Sequence, residues 1–496
     1  MRAKVRTVIA RARKTGRLIV VSNRVALPRQ TSTGGLGSAL QAALQQRGGV
    51  WFGWSGKLAA ETGSEVHQLR DAKVDYATID LSRADHDDYY SGFANGTLWP
   101  MLHYRPDLVD YQRKHREGYF RVNAIFADRL LQLIKPEDTL WVHDYHLIPL
   151  AAMLRQRGVK NRIGFFLHTP LPAAGLLIAL PHHDQLLETL SSYDLVGVHT
   201  TRYLRALEDY FLHEAGAAIR LGGRMRMPGG RLFRAAAFPI SIDTAEIAET
   251  ARTAESLKEI DLLQRSLAGR ALIVGVDRLD YSKGLPERFG AYARLLERAP
   301  ELHSKVTFLQ IAPPSRGAVL EYREIRHELE RSAGHINGKY ALPDWVPIRY
   351  INKSFPHRLL AGYYRCARVG LVTPLRDGMN LVAKEYVACQ NPEDPGVLVL
   401  SRFAGAAQEL TDALLVNPAD TEEVADALER ALKMPLAERR ARWSAMMTVL
   451  QENDITLWRT NFLQALRREP VQAPDLAAPR AAASATARKR KKPVQG

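Results

Sequence analysis

The chain has few cysteines and no long apolar run, and each shortage excludes a class of protein. Cys366 and Cys389 are the only cysteines among 496 residues, too few for a disulfide framework or a cysteine-built metal site. The longest apolar runs, such as Leu18–Ser22 and Gly396–Leu400, are much shorter than the roughly 20 residues that cross a bilayer. The basic start of the chain is not followed by a long apolar core, so no secretory signal is expected. We therefore expect a cytoplasmic protein with no membrane partner.

Acidic residues are scarce at the two ends of the chain, where most of the net charge of +16 lies. Residues 1–17 contain seven Lys or Arg and no acid, and residues 470–496 contain six against the single acid Asp475. The body of the chain therefore lacks the basic surface that a specific nucleic-acid-binding protein needs. The end segment, low in apolar bulk, is expected to be disordered, and it either binds polyanions nonspecifically or is a dispensable solvated tail.

Short apolar runs alternate with amphipathic helical stretches in two series, as in parallel sheets covered by helices. We predict an α/β fold of two doubly wound, Rossmann-like domains with a ligand cleft between them and a linker at Pro239–Asp243. The expected divisions are a basic tail 1–16, domains 17–240 and 241–445, a helix 446–468 that crosses back to the first domain, and a basic tail 469–496. The expected strands are Leu18–Val21, Thr139–Val142, Arg162–Leu167, Leu195–Val198, Ala271–Val276, Val306–Ile311, Val346–Ile351, Val369–Val372, Gly396–Leu400 and Ala413–Val416.

Two cations and a glycine follow the apolar run Ala271–Val276, where a strand is expected to give way to a helix. Arg278 and Lys283 would add full charge to the free N–H groups of that helix, and Gly284 closes the motif. Because Arg forks onto phosphate oxygens and Lys acts as a point charge, the pair could neutralise a diphosphate without a metal. The alternative is a surface turn with solvated charges.

Two further groups of polar residues are candidate sites at expected strand ends. One expected strand is followed by His143, Asp144 and His146, and the next is followed by His168. These residues either line a polar pocket or are structural, and the pattern favours the two interpretations about equally. The spacing is not convincing for a metal. A glycine-rich loop, Thr33–Ser38, would let backbone approach a ligand, but its spacing does not match a dinucleotide fingerprint.

A second dense cluster, Pro374–Tyr386, follows the expected strand Val369–Val372. Asp377 and Gly378 stand before a helix, and Glu385 lies about two turns further along. Carboxylates accept hydrogen bonds from sugar hydroxyls, so Asp377 and Glu385 could hold different parts of one nucleotide sugar. A simpler interpretation makes Asp377 an N-cap.

These blocks, in this order, resemble the trehalose-6-phosphate synthases, glycosyltransferase family 20. The resemblance runs from about Arg17 to Leu466 and is carried by long blocks such as Trp51–Gly56, Arg278–Arg288 and Leu371–Tyr386. It implies a GT-B fold of two facing Rossmann-like domains. It also implies transfer of glucose from UDP-glucose to glucose 6-phosphate with retention, giving trehalose 6-phosphate and UDP without a required metal or cofactor.

The resemblance also implies site residues, position by position. Arg278 and Lys283 match the diphosphate-binding pair, and Asp144 and His168 match residues beside the reacting sugars. The other donor positions are Gly34, Gly35, Phe355, Asp377, Gly378, Met379, Asn380, Leu381, Val382 and Glu385. The acceptor positions are Arg24, Tyr90, Trp99, Asp144 and Arg316.

The implied chemistry depends on charge more than on a nucleophile. No carboxylate in these positions clearly serves a double displacement, so the resemblance implies a same-face reaction in which Arg278 and Lys283 stabilise the leaving diphosphate. The sequence departs from the family pattern at Ser241, Thr169 and Leu171, and these changes could alter the stiffness of the hinge or the packing around the acceptor.

Two other functions stay open at this point. A glucosylglycerol-phosphate synthase would use glycerol 3-phosphate as acceptor, although Trp54, Tyr90 and Trp99 favour a hexose. A polyanion-binding protein is the alternative of another class. The donor nucleoside (UDP, GDP or ADP) is not fixed by the sequence, and a homo-oligomer is expected.

Overall fold

The computed structural model of the protein describes residues 16–28, isolated positions between 37 and 45, and residues 48–220, 223–314 and 320–468. Sixteen strands in this part of the chain form two sheets, one of ten strands and one of six. The first sheet contains β1 (Leu18–Arg24), β2 (Gly49–Ala59), β3 (His67–Asp71), β4 (Val74–Ser82), β5 (Thr139–His143), β6 (Arg162–Phe166), β7 (Leu195–Val198), β8 (Ala218–Arg220), β9 (Arg224–Arg226) and β10 (Leu232–Ala237). The second contains β11 (Ala271–Val276), β12 (Val306–Ile311), β13 (Ile348–Ile351), β14 (Val369–Val372), β15 (Val397–Ser401) and β16 (Leu414–Val416). We call each sheet with its helices the N-terminal half and the C-terminal half.

Helices connect the strands, and several begin at a residue whose side chain caps them. Thr200, Asp243 and Asp420 each accept a hydrogen bond from a backbone N–H in the first turn that follows. The α-helices are Arg83–Asp85, Trp99–Leu102, Arg113–Leu131, Leu150–Gln156, Ala174–Leu177, His183–Leu187, Thr201–His213, Thr244–Ala254, Lys258–Leu267, Leu285–Arg298, Leu320–Tyr340, His357–Cys366, Leu381–Cys389, Thr421–Lys433, Leu436–Glu452 and Ile455–Arg468. A π-helix spans His86–Leu98, and short 3-10 helices span Pro106–Leu108, Tyr145–Leu147, Glu188–Ser192, Tyr281–Lys283, Pro300–Leu302 and Gly405–Gln408.

In the parallel part of each sheet, as the structure describes it, the chain reverses its direction of travel across the strands at one point. The second sheet has the order β13-β12-β11-β14-β15-β16, and all its pairs are parallel. The first has the order β3-β4-β2-β1-β5-β6-β7-β10-β9-β8, with antiparallel strands only towards its edges. The reversals fall between β11 and β14 and between β1 and β5. Ligands of open α/β sheets bind at the carboxyl ends of such strands.

Both faces of the central strands are buried, which explains why these strands are continuously apolar. Ile19 and Val21 of β1 pack into the core on one face of the first sheet, whereas Leu18 and Val20 pack into a second core. Successive side chains of a strand point to opposite faces, so the second core lies on the other side of the sheet. That second core also contains residues of β11, β15 and the linker, and it therefore joins the two halves.

The helix Ile455–Arg468 packs on the first sheet, where two glycines leave room for it. Phe462 is fully buried and stacks on Trp141, with ring centroids 4.8 Å apart. An added Cβ at Gly164 or Gly197 would lie within 3 Å of the Phe462 ring, at 2.9 and 2.8 Å. Glycine in these two strands therefore makes a groove for the aromatic ring.

All ten predicted strands are present, and they agree within two residues at either end except that β1 continues three residues beyond Val21, to Arg24. The strand expected at Val346–Ile351 begins at Ile348, and the helical pattern Leu436–Leu466 is interrupted between Glu452 and Ile455. Strands β2, β3 and β4 and the hairpin extension β8–β10 were not predicted, because glycines and polar residues break their apolar runs. The domain divisions stay predictions.

No helix in the described ranges is both long and apolar enough to span a membrane.

Replacing Phe462 with Ala should lower the free energy of unfolding by about 3–5 kcal/mol, because the cavity lies in a core that cannot collapse. The measurement is urea unfolding followed by tryptophan fluorescence. Leu457→Ala is the matched control on the same helix, since Leu457 is 38% exposed and should cost much less. Equal shifts for the two variants would contradict the packing described here.

Candidate functional site

The loops after β11 and β14 lie side by side at the reversal point of the second sheet, because these strands are neighbours. Lys283 belongs to the first loop and Asp377 to the second, and the Lys283 ammonium is hydrogen-bonded to Oδ2 of Asp377. Asn380 donates to the same oxygen at 3.1 Å. The structure thus brings together the two clusters that the sequence placed after separate strands.

The Lys283–Asp377 contact is an ion pair of two charged groups. Burial disfavours both charges, but Lys283 outweighs it and holds the pKa of Asp377 below its usual value. Burial likewise opposes the charge of Lys283, and Asp377 and Asp277 outweigh it and raise the pKa of Lys283. Both side chains are mostly buried, at 11% and 15% exposure, so the pair lies in a medium where charge interactions are strong.

Arg278 differs from Lys283 because its guanidinium is exposed. It lies over the ring of Trp99, 5.7 Å from the ring centroid, and so faces the N-terminal half. The loop therefore carries one cation that is exposed, Arg278, and one that is buried in an ion pair with Asp377, Lys283. This combination suits an anion that enters from the cleft.

Arg288 was not predicted as a site residue. It is hydrogen-bonded to residues of both loops. It is fully buried, and its guanidinium donates to Asp277 at 2.9 Å and to Thr373 Oγ1 at 3.1 Å. It also donates to the carbonyl oxygen of Lys283 at 3.3 Å. An arginine among the apolar positions of the helix Leu285–Arg298 was the sequence signal for this role.

At Gly378 the backbones of the two halves approach each other closely. An added Cβ at this residue would lie 2.1 Å from the carbonyl oxygen of His168, which is backbone and cannot move aside. Tyr203 of the N-terminal half also donates its hydroxyl to the carbonyl oxygen of Asp377 at 2.9 Å. Asn380 then starts the helix Leu381–Cys389 as its N-cap, at a φ of 72°, so Asp377 is not the cap.

Asp144 and His168 are joined on the other side of this contact. Asp144 has a φ of 75°, a strained conformation for a residue other than glycine. Its Oδ1 accepts hydrogen bonds from the backbone N–H groups of Tyr145 and His168, at 3.0 and 3.2 Å. The strain is therefore held by contacts that fix the carboxylate beside His168, as is common at functional sites.

Three histidines lie at the ends of β5, β6 and β7: His143 and His199 are buried, and His168 is half-buried. His143 Nδ1 lies 3.0 Å from His168 Nε2, and the rings of His168 and His199 are 5.4 Å apart. Burial lowers the pKa of His143 and of His199 to about 3, and it holds the pKa of His168 well below its usual value. All three are neutral at pH 7, so the positive charge of the site comes from arginine and lysine.

The acceptor positions of the N-terminal half form an aromatic cluster with one arginine. The Arg24 guanidinium lies 6.0 Å from the centroid of Trp54, and Tyr90 lies 5.7 Å from Trp54 between the rings. Tyr90 stacks on His146 at 5.8 Å. Trp99 packs against Tyr145, with ring centroids 5.7 Å apart, and Tyr145 is the neighbour of His146 in the chain. The structure therefore brings Arg24, Tyr90 and Trp99 to one side of the cleft.

The remaining donor positions line the C-terminal half. Glu385 Oε1 lies 3.9 Å from His357 Nε2, and this nearby carboxylate raises the pKa of His357. Phe355 contacts Tyr363 edge to face at 5.7 Å. Leu381 and Val382 are partly buried, and Met379 is buried, in the core that joins the halves. Gly34, Gly35 and Arg316 lie outside the described residues.

Lys384 is a second residue that the sequence did not single out. Its ammonium is fully buried and donates to the linker carbonyl of Ile240 at 2.8 Å and to Glu409 at 2.7 Å. Burial lowers the pKa of Lys384 although Glu409 opposes the shift. The helix that carries Glu385 is thereby fastened to the linker.

In the described residues no group of three or more His, Cys, Asp or Glu is placed to hold a metal ion. The independence from metal stays a prediction.

Comparisons with known proteins identify the family and the fold. The family model of glycosyltransferase family 20 matches residues 6–468. The chain belongs to glycosyltransferase family 20. The predicted family and the predicted GT-B fold, an α/β fold with two parallel-rich sheets, are confirmed.

The relatives of this family 20 chain are similar over nearly their whole length. A trehalose-6-phosphate synthase of Enterobacter sp. (strain 638) is 51% identical over 458 residues, which are 91% of this chain and 95% of that one. A solved UDP-forming alpha,alpha-trehalose-phosphate synthase from Burkholderia xenovorans, in complex with glucose-6-phosphate, is 52% identical with a TM-score of 0.88 and covers 91% of this chain and 100% of its own. An E. coli structure bound with UDP-2-fluoro glucose is 49% identical with a TM-score of 0.89, at 92% and 100% coverage.

Replacing Gly378 with Ala should lower the turnover of the family 20 reaction at least tenfold, because the added methyl group forces the His168 backbone away. Gly290→Ala is the matched control, since a Cβ there meets nothing within 4 Å. The measurement is steady-state turnover together with the melting temperature of each variant. Normal turnover of the Gly378 variant would show that the close approach is not needed.

The buried histidines predict that stability falls as the pH is lowered below about 6.5. An unfolded histidine binds a proton near that pH, whereas His143 in the folded chain stays neutral down to about pH 3. The unfolded state therefore binds more protons across this window, so the free energy of unfolding decreases as the pH falls.

Replacing His143 with Gln removes up to one proton from the difference in proton binding between the unfolded and folded states. The slope of the free energy of unfolding against pH should therefore decrease by up to about 1.4 kcal/mol per pH unit. The measurement is the free energy of unfolding in urea between pH 7 and pH 4. The exposed His335 offers the control His335→Gln, which should keep the slope of the parent protein. An unchanged slope in the His143 variant would refute a neutral buried His143.

Proposed function

We propose that this chain transfers glucose from UDP-glucose to glucose 6-phosphate with retention at the anomeric carbon, forming trehalose 6-phosphate and UDP. One observation carries the proposal: at Gly378, the loop of the Lys283–Asp377 pair lies against the backbone of the Asp144–His168 pair. A donor diphosphate and a sugar phosphate acceptor then enter one cleft from opposite sides. The complexes of two relatives, with glucose-6-phosphate and with UDP-2-fluoro glucose, support both assignments.

Arg278 and Lys283 hold the diphosphate of the donor in this proposal. The exposed Arg278 supplies two parallel donors to phosphate oxygens, and Lys283 supplies a charge that Asp377 now balances. The 3-10 helix Tyr281–Lys283 and the helix that begins at Leu285 add backbone N–H groups and a favourable dipole. Glu385 takes the ribose hydroxyls, while Phe355, Leu381 and Val382 line the nucleotide pocket.

Asp377 and the backbone of Gly378, Met379 and Asn380 hold the donor glucose. Asp377 Oδ2 already accepts two hydrogen bonds, so its other oxygen is the natural acceptor for sugar hydroxyls. Asp144 is similarly engaged with two backbone N–H groups and contacts the sugars from the N-terminal half. Both carboxylates are assigned to hydrogen bonding and neither to nucleophilic attack, in keeping with a same-face reaction instead of a double displacement.

In that reaction the bond between the anomeric carbon and the diphosphate oxygen breaks while the acceptor hydroxyl attacks from the same face. The acceptor proton passes to the leaving phosphate oxygen, so no side chain need act as a base. Arg278 and Lys283 stabilise the negative charge that develops on the leaving group. The neutral His143, His168 and His199 exclude water without adding a competing charge.

Glucose 6-phosphate is favoured as acceptor over glycerol 3-phosphate by the aromatic surfaces on the acceptor side. Tyr90 is half-buried and offers its ring to a hexose, the buried Trp54 packs behind it, and Arg24 lies beside Trp54 to meet the phosphate. The resemblance assigns Arg316 to the acceptor and Gly34 and Gly35 to the donor, and these three residues lie outside the described part of the chain. The cytoplasmic location, the homo-oligomer and the absence of a specific nucleic-acid partner stay predictions.

The test mixes purified protein with UDP-glucose and either glucose 6-phosphate or glycerol 3-phosphate, with a chelator present. Products are identified by mass and NMR, and GDP-glucose and ADP-glucose are tried in parallel. A phosphorylated α,α-1,1 disaccharide is the expected product. Product from glycerol 3-phosphate alone would overturn the acceptor assignment, and loss of activity on chelation would overturn the independence from metal.

Replacing Arg278 with Ala should lower the rate of transfer about 100-fold or more, because one preorganised charge contact to the leaving group is lost. Arg252→Ala is the control, since Arg252 is an exposed arginine paired with Glu249 on a surface helix. The measurement is the turnover at saturating UDP-glucose and glucose 6-phosphate. A near-normal rate in the Arg278 variant would refute its place at the diphosphate.

A further inference from the structure

A segment of the N-terminal half, Trp99–Arg105, faces loops of the C-terminal half through three contacts between a cation and a ring. Arg278 lies 5.7 Å from the centroid of Trp99, and Arg105 lies 5.7 Å from that of Tyr281. Arg376 lies 4.2 Å from the centroid of Tyr104, which makes it the shortest of the three. Cations come from both halves, so these contacts fasten each half to the other.

Arg376 is stacked between two rings that belong to different halves. Its guanidinium lies 4.5 Å from the centroid of Phe403 in the C-terminal half, in addition to the contact with Tyr104. The planar guanidinium suits this arrangement, because it stacks on aromatic faces as a lysine cannot. We call Tyr104, Arg376 and Phe403 the cleft stack.

The loop that carries Arg376 is held firmly by the second sheet. The N–H groups of Leu375 and Arg376 both point to the carbonyl oxygen of Ser282, at 2.8 and 3.3 Å. Asp377 forms an isolated bridge with Ala404, next to Phe403. Arg376 is therefore mounted on the same rigid loop as Asp377, the proposed donor-glucose ligand.

Tyr104 is mounted on the acceptor side in a strained conformation. Its φ of 64° lies in the left-handed region, which a bulky residue rarely adopts. The preceding His103 is buried and contacts the Trp99 carbonyl oxygen through Nδ1 at 2.8 Å. Strain of this kind persists only where the surroundings hold it, and here it directs the ring of Tyr104 at Arg376.

We propose that Arg376 and Tyr104 are positioning residues that hold the acceptor-side segment Trp99–Arg105 against the donor loop. The cleft stack fixes the position of Trp99 relative to that of Asp377. Because Trp99 lies on the acceptor side and Asp377 on the donor side, the stack also fixes the acceptor relative to the donor sugar. The inference rests on the proposed function for the identity of the acceptor. It assigns to both residues an effect on acceptor use without any contact with substrate.

The test is a double-mutant cycle of Arg376→Met and Tyr104→Leu. Each single variant should raise the KM for glucose 6-phosphate by about three- to thirtyfold, the range of a cation–π contact from exposed to desolvated. The double variant should be within about twofold of the worse single variant, because both changes remove the same contact. The affinity for UDP, measured by calorimetry, should change less than about twofold, since UDP is held by the C-terminal half.

Two controls separate positioning from a general structural defect. Tyr104→Phe keeps the ring and should keep the KM of the parent protein. Arg116→Met removes a comparable contact, 4.9 Å from the centroid of Phe120, away from the cleft and should also leave the KM unchanged. Single variants within twofold of the parent protein, or effects that multiply in the double variant, would overturn the proposal.

A measurement that does not depend on catalysis separates the test of the cleft stack from the test of the proposed function. Small-angle scattering with UDP present should give a larger radius of gyration for Arg376→Met than for the parent protein, because the halves are less firmly held together. If the parent protein failed to use glucose 6-phosphate, the proposed function would be wrong and scattering alone would decide on the stack. An unchanged radius would then overturn the inference.

Discussion

The carbonyl oxygen of His168 approaches the α-carbon of Gly378 so closely that no side chain fits at residue 378. This contact joins the carboxyl end of β6 in one sheet to the loop after β14 in the other. Asp144 is tied to His168, and Lys283 is tied to Asp377, so the contact sets the distance between both pairs. A site assembled from two sheets depends on such a fixed point, because small shifts between reacting groups are costly.

Some charged side chains of the site are buried in an ion pair, and others are exposed to the cleft. Lys283 and Asp377 neutralise one another while they are mostly buried, and Arg278 stays exposed to the cleft. The surrounding histidines are kept neutral by burial, which lowers the pKa of His103 to about 4 and that of His143 to about 3. The positive field around these histidines is therefore set by arginine and lysine. Such an environment suits an anionic leaving group that must be stabilised without solvent reorganisation.

The sequence predicted the central strands and the two candidate loops because buried parallel strands leave a clear apolar signal. It also predicted that Arg278, Lys283 and Asp377 follow strands, but not that β11 and β14 are neighbours, since strand order depends on contacts distant along the chain. The strand β2 escaped prediction because Gly53, Ser55 and Gly56 interrupt its apolar pattern. Arg288, Lys384 and Arg376 escaped because one charged residue reads the same whether it is solvated or buried, and only packing tells the two apart.

The most direct test of this account is a crystal structure of the protein with UDP and glucose 6-phosphate bound. The account predicts that diphosphate oxygens lie within hydrogen-bonding distance of Arg278 and Lys283, with the acceptor phosphate beside Arg24 and the halves in contact at Gly378. A diphosphate bound away from Arg278 and Lys283, or an acceptor bound outside the cleft between the two sheets, would contradict it.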